Sequence, residues 1–207
     1  NGIDLKKISE IETEVGKSPV GLESKIYDII FAGRLIKEKN VDLLIKAVAL
    51  LKADFPDIRC CIVGDGPEKA ALVELAKKTK VYENIDFAGF QEYGALIGKI
   101  KASKVLVLPS SREGFGMVVI EAFACGVPVV TVKAKYSAAQ GLVEDGVDGF
   151  IVELDEGEIA KAVVKTIGKP SGNTKTSEAA LRKAENHDWE EIVKNIQLVF
   201  EACVRRN

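Results

Sequence analysis

Lys104-Val105-Leu106-Val107-Leu108-Pro109, followed after Ser110 by Ser111-Arg112-Glu113-Gly114-Phe115-Gly116-Met117-Val118-Val119-Ile120-Glu121-Ala122-Phe123-Ala124-Cys125-Gly126, carries the reading of the fold. The first piece is a nearly continuous apolar run of strand length, as expected of a strand buried on both faces. The second opens with a glycine-rich turn and continues as a helix up to Gly126. Strand, turn and helix in that order form the repeating unit of a parallel α/β sheet. One residue sits oddly in the helix: Glu121 is the single charge between Met117 and Cys125. An ionised carboxylate in such company is costly unless something hydrogen-bonds it.

The alternation continues in both directions. Upstream, Tyr27 to Ala32 reads as a strand ending at Gly33-Arg34. Asp42 to Lys52 reads as a helix, with Leu43, Leu44, Ala47, Val48 and Leu51 at helical spacing. Arg59 to Val63 is a second strand, stopped by Gly64-Asp65-Gly66-Pro67. A helix over 68–78, a short strand from Ile85 to Ala88 stopped at Gly89, and a helix from Tyr93 to Lys101 follow. Downstream, Pro128 to Val132 and Gly149 to Val152 read as strands, and 156–167 and 188–204 as helices. Gly168 to Thr176, rich in Gly, Ser, Thr, Lys and Pro, is expected to be a mobile loop. Residues 1–25 lack clear periodicity and read as a linker or an edge element. The expected fold is α/β: one doubly wound, Rossmann-like parallel sheet of about six strands with helices on both faces.

A chain of 207 residues buries enough surface to fold without a disulfide or metal staple. Its net charge of −2 argues against a general nucleic-acid or membrane-surface binder. The four cysteines form no C-x-x-C pair and only His187 could join them, so no metal site is expected. Cysteines in apolar runs fit a reduced, intracellular protein. The longest apolar stretch, residues 117–132, is broken by Glu121, Gly126 and Pro128, so no membrane span is expected. Asn1-Gly2-Ile3-Asp4 opens without Met, as expected of a piece cut from something longer.

In an open α/β sheet the ligand sits beyond the carboxyl ends of the strands. The segments there are Arg34 to Lys39, Gly64-Asp65-Gly66, Gly89-Phe90-Gln91 and Arg112 to Gly116. Gly114-Phe115-Gly116 precedes a helix start, where free N–H groups bind phosphate. Glu113 precedes that turn, and Glu121 lies about one and a half turns into the helix. Carboxylates there suit the vicinal hydroxyls of a sugar or ribose. A solvated Glu113 and a core ion pair at Glu121 are the plainer alternatives. Arg34 and Lys39 suit a diphosphate, Arg as a bidentate fork and Lys as a point charge, with ordinary surface charge as the alternative. Other phosphate motifs fail. Gly64-Asp65-Gly66-Pro67-Glu68-Lys69 lacks the third glycine of a dinucleotide fingerprint, and Gly16-Lys17-Ser18 lacks the rest of a P-loop. His187, beside a helix start, reads as a capping or surface residue.

On these residues the chain resembles the donor-binding half of a family 4 (group 1) retaining glycosyltransferase of the GT-B fold, over residues 26–204. Phe31-Ala32-Gly33-Arg34-Leu35-Ile36-Lys37-Glu38-Lys39-Asn40 resembles the family's Gly-Arg-Leu…Glu-Lys-Gly segment. Ile62 to Pro67 and Phe87 to Phe90 have counterparts, and Glu113 and Glu121 form its Glu-x7-Glu pattern. The resemblance implies that Arg34 and Lys39 hold the diphosphate of a nucleotide sugar, a UDP-, GDP- or ADP-sugar. It implies that Glu113 binds a donor-sugar hydroxyl and Glu121 the ribose. The backbone of Gly114, Phe115, Gly116 and Met117 would contact phosphate and sugar, Phe90 and Gln91 would border the base, and Gly33 would line the site. Transfer with retention at the anomeric carbon, no required metal and no separate cofactor are implied as well.

The same resemblance divides the chain into a hinge or edge segment, 1–25, and a donor-binding domain, 26–207. The acceptor, a saccharide or lipid, would be bound by a domain outside these residues, in a cytoplasmic enzyme that is at most peripheral to the membrane. Where the family carries Gly-Gly-x-x-Glu, this chain has Lys133-Ala134-Lys135-Tyr136-Ser137-Ala138-Ala139-Gln140-Gly141, which leaves contacts on the sugar side open. The alternative readings are a nucleotide-sugar 2-epimerase and a non-catalytic nucleotide-binding or interaction domain.

Overall fold

The computed structural model describes residues 1–13, 26–168 and 172–204. Six parallel strands form the main sheet: β1 (Tyr27–Ala32), β2 (Cys60–Val63), β3 (Ile85–Gly89), β4 (Ser103–Leu108), β6 (Val129–Val132) and β8 (Gly149–Val152). Between them a two-stranded parallel sheet joins β5 (Arg112–Glu113) to β7 (Tyr136–Ser137). The helices are α1 (Leu5–Glu10), α2 (Val41–Leu51), α3 (Lys69–Lys78), α4 (Tyr93–Lys101), α5 (Met117–Ala124), α6 (Glu156–Ile167), α7 (Gly172–Glu185) and α8 (Trp189–Val204).

The main sheet runs β3-β2-β1-β4-β6-β8. The chain moves one way from β1 to β3, then crosses back to β4 and moves the other way. Right-handed crossovers therefore put α2 and α3 on one face and α4 and α5 on the other. α6 returns to pack on α2, and α7 packs on α5, which completes both layers. Enclosure on both faces explains why β2 and β6 are buried at every position. The order reverses between β1 and β4, so their carboxyl ends open the crevice where such sheets take ligands.

The expected mobile loop over Gly168–Thr176 is corrected: α7 begins at Gly172, while Lys169, Pro170 and Ser171 lie outside the described residues. Its start is rich in poor helix formers, which hides it locally. Tertiary packing decides instead, because Ala180 and Ala184 are fully buried one turn apart and Leu181 lies against Gly126.

The opening residues, without periodicity in the sequence, are tied down as far as they are described. Asp4 caps α1 by accepting from Lys7 N–H at 2.8 Å. Ile3 and Ile8 are buried in the core. Ile3 N–H donates to His187 O, and Trp189 N–H donates to Ile3 O, both at 2.9 Å. The rest of the expected 1–25 segment, from residue 14, lies outside the described residues, and so does Gly16-Lys17-Ser18.

Candidate functional site

The loops at the switch point are stitched together by backbone geometry. Gly64 has φ +136°, and a Cβ there would lie 1.9 Å from Gly33 O, so only glycine lets the turns after β1 and β2 approach this closely. Gly64 N–H donates to Gly89 O at 2.8 Å, which draws in the end of β3. On the other side, Asn40 Nδ2 donates to Pro109 O at 2.9 Å and Ser111 N–H donates to Glu38 O at 2.9 Å. These bonds hold the loop after β1 against the loop after β4.

Between these loops lies a cavity of about 480 Å³, lined by Gly33, Arg34, Lys39, Phe90, Gln91, Glu113, Gly116, Met117 and Glu121 among others. Nine residues singled out from the sequence thus meet at one place, though Phe90 comes from a third strand end and is 72% exposed. Gln91 Nε2 donates to Ala88 O at 2.6 Å, which fixes the turn beside it. Gly114 and Phe115 are not in the wall. Phe115 turns its ring edge-on to His187, with centroids 6.2 Å apart. Burial lowers the pKa of that half-buried histidine.

Sequence reasoning missed part of the wall: Ala32, Val63, Leu96 and Val118 supply apolar surface, while Asp65, in one of the expected strand-end segments, adds a third carboxylate. Strand-end position could have flagged Ala32 and Val63. Leu96 had no signal beyond its place on α4 beside the buried Ile97 and Ile100. Asp65 is held below the usual carboxylate range by hydrogen bonds from Lys69 and the Gly66 N–H.

α5 answers the question raised by Glu121. Its core face is Val119, Ile120, Ala122 and Phe123, all buried. Met117, Val118 and Glu121 fall on the neighbouring stripe and face the cavity. Glu121 is half-buried and has neither an ion-pair nor a hydrogen-bond partner among the described residues. Glu121 therefore lies at the cavity wall, and the core ion pair weighed for it is not found among the described residues. Burial alone raises its pKa. The nearby Tyr93 hydroxyl is pushed up to about 12, first by burial and then by Glu121. Gly116, at φ +93°, is the N-cap of α5 and offers its first N–H groups no side-chain cap, at a helix start whose residues Gly116, Met117 and Val118 line the cavity.

Glu113 and Lys39 do not stand apart. Lys39 Nζ donates to Glu113 Oε2 at 2.5 Å, with side chains 14% and 18% exposed. The divergent segment after β6 braces this wall. Tyr136 and Ser137 pair with Arg112 and Glu113, and Ala139 Cβ sits 3.3 Å from where a Gly116 Cβ would be. Among the described residues no three His, Cys, Asp or Glu side chains gather as a metal site, and no helix is long and apolar enough to cross a membrane.

Comparison with known proteins gives an independent line. A family model described as "Glycosyl transferases group 1" matches residues 14–183. The D-inositol 3-phosphate glycosyltransferase of Rhodococcus jostii is 31% identical over 198 residues, which are 91% of this chain and 43% of that protein. That of Mycolicibacterium gilvum is 31% identical over 93% of this chain and 43% of its own length. The chain spans about half the length of the curated relatives it matches. Among solved structures, Anabaena Alr3699/HepE in complex with UDP superposes with a TM-score of 0.80 at 25% identity, over 98% of this chain and 56% of that one. The sucrose-phosphate synthase of Thermosynechococcus elongatus shares the fold, with a TM-score of 0.79 at 22% identity, over 100% of this chain and 52% of that one.

Proposed function

The chain belongs to the group 1 glycosyl transferases, and from that premise we propose that it is the donor-binding half of a retaining enzyme that transfers a glycosyl group from a nucleotide-diphosphate sugar. The observation that carries this reading is the meeting of Arg34, Lys39, Glu113 and Glu121 around one cavity at the sheet's switch point. The acceptor, a saccharide or lipid, is assigned to the part of the relatives' length that this chain does not span. Residues 1–25 would lead from that part into this one. A cytoplasmic location belongs to the same reading.

In this proposal the diphosphate lies against the N-terminus of α5 and the Arg34 guanidinium, with Lys39 within reach. Bond breaking at the anomeric carbon leaves negative charge on the leaving diphosphate. Fixed cations and N–H dipoles stabilise that charge without reorganising, and no metal is required. Glu121 accepts from the ribose hydroxyls, which supplies the partner it lacks among the described residues. Glu113 accepts from a hydroxyl of the sugar, while Phe90 and Gln91 border the base. A phosphate oxygen takes the acceptor's proton. A 2-epimerase, or a domain that only binds nucleotide, finds no observation here that favours it over transfer.

A thermal-shift panel of UDP, GDP, ADP, NAD and FMN tests the reading. A ligand at 100 times its dissociation constant adds about 2.7 kcal/mol, roughly 5–10 °C for a domain of this size. One or more nucleoside diphosphates raise the melting temperature, and Glu121→Ala removes the rise. A response to NAD or FMN alone would overturn it.

A further inference from the structure

The two cations of the cavity are not equivalent. Arg34 is exposed and has no ion-pair partner among the described residues. Lys39 is held by Glu113, 74 residues further along the chain, across the switch point. Neither the Lys39 ammonium nor the Glu113 carboxylate has another hydrogen-bond partner among the described residues. The bond from the Asn40 side-chain amide to Pro109 O and the backbone bond from Ser111 N–H to Glu38 O fix both ends of this contact, so the two side chains meet at a set position.

Resting on the donor-site reading, we propose that the Lys39–Glu113 pair makes the site select an intact nucleotide sugar over the nucleoside diphosphate left after transfer. A diphosphate that draws Lys39 away leaves a mostly buried carboxylate unpaired, beside new negative charge. Both consequences oppose binding. A sugar on the same diphosphate brings hydroxyl donors, and these replace the ammonium on Glu113. The whole ligand therefore satisfies both halves of the opened pair, and the bare nucleotide only one. Arg34, with no partner to lose, serves both alike. The pair would favour loading of donor and discharge of spent nucleotide.

Titration calorimetry on this 207-residue chain with UDP and UDP-glucose, GDP and GDP-mannose, and ADP and ADP-glucose reads the affinity ratio within each couple. Glu113→Gln keeps the side-chain shape and removes the charge that holds Lys39. The variant should bind the nucleoside diphosphate roughly tenfold more tightly and the sugar nucleotide no better than before, so the ratio collapses. Unchanged or weaker binding of the nucleoside diphosphate by Glu113→Gln overturns the inference and leaves the donor-site reading standing. No heat from any of these ligands on the unaltered chain removes both. Should the variant not fold, the Lys39 Nζ resonance of the unaltered chain decides the point. It should move further with the sugar nucleotide than with the nucleoside diphosphate, and equal shifts overturn the proposal.

Discussion

The carbonyl oxygen of Gly33 occupies the space that a side chain on Gly64 would need: a Cβ at residue 64 would lie 1.9 Å from it. This backbone-to-backbone approach closes one side of the cavity. Gly64→Ala must push the two strand ends apart in addition to straining a positive φ, at a cost of about 2–4 kcal/mol. Thermal unfolding of the variant should show a fall of roughly 4–16 °C. A melt within a degree of the parent would show that the two turns separate freely.

Glu121 predicts a pH dependence. Its pKa in the unliganded fold is raised by burial above the ordinary 4.5. The folded state therefore binds the proton more tightly than the unfolded chain, and ionisation destabilises the fold as pH rises through the folded pKa. Above that value the full penalty is present, and below 4.5 it vanishes. Unliganded Glu121→Gln should melt higher than the parent at about pH 7.5, with the gap closing towards acid pH. Ribose hydroxyls favour the ionised carboxylate, so nucleotide affinity should fall as pH drops into this window. Calorimetry of the glutamine variant should give weaker binding without that slope. The same slope in both proteins would assign the titration to another group.

In the proposed donor site, Arg34 is the cation at the diphosphate position, without an ion-pair partner among the described residues. If the chain acts as the donor-binding half proposed above, Arg34→Ala in the complete enzyme should lower kcat on the order of a hundredfold or more, about 3 kcal/mol in the barrier. Arg34→Lys should recover little, because an ammonium cannot form the two-pronged contact. Steady-state rates with both variants check this, and full recovery by lysine would remove the bidentate role.

Ala180 is fully buried on α7, the helix that packs on α5. Ala180→Asp buries a charge with no partner and should cost about 3 kcal/mol or more. Amides of 175–185 should then lose hydrogen-exchange protection before those of β1 and β4. Unchanged protection across α7 would mean that the helix stands without this contact.

Much of the fold was legible from local pattern. Continuous apolar runs marked β1, β2, β4 and β6, and helical spacing marked α2, because strand and helix periods are written in neighbouring residues. α7 was not legible, since poor helix formers open it and its stability comes from α5. The short pairing of β5 with β7 was hidden for the same reason, each being two residues long and stable only through the other.

The site divides along the same line. Residue types and their place after strand ends singled out Arg34, Lys39, Glu113 and Glu121, because a wound parallel sheet gathers its strand ends on one edge. Tertiary structure alone decided that Lys39 rests on Glu113 while Arg34 has no ion-pair partner among the described residues, that Phe115 turns to His187, and that Glu121 meets the cavity instead of the core. These are distances between groups brought close by folding, and Lys39 and Glu113 lie 74 residues apart in the chain. Local pattern can fix which face of a helix a residue occupies, but not what stands opposite it.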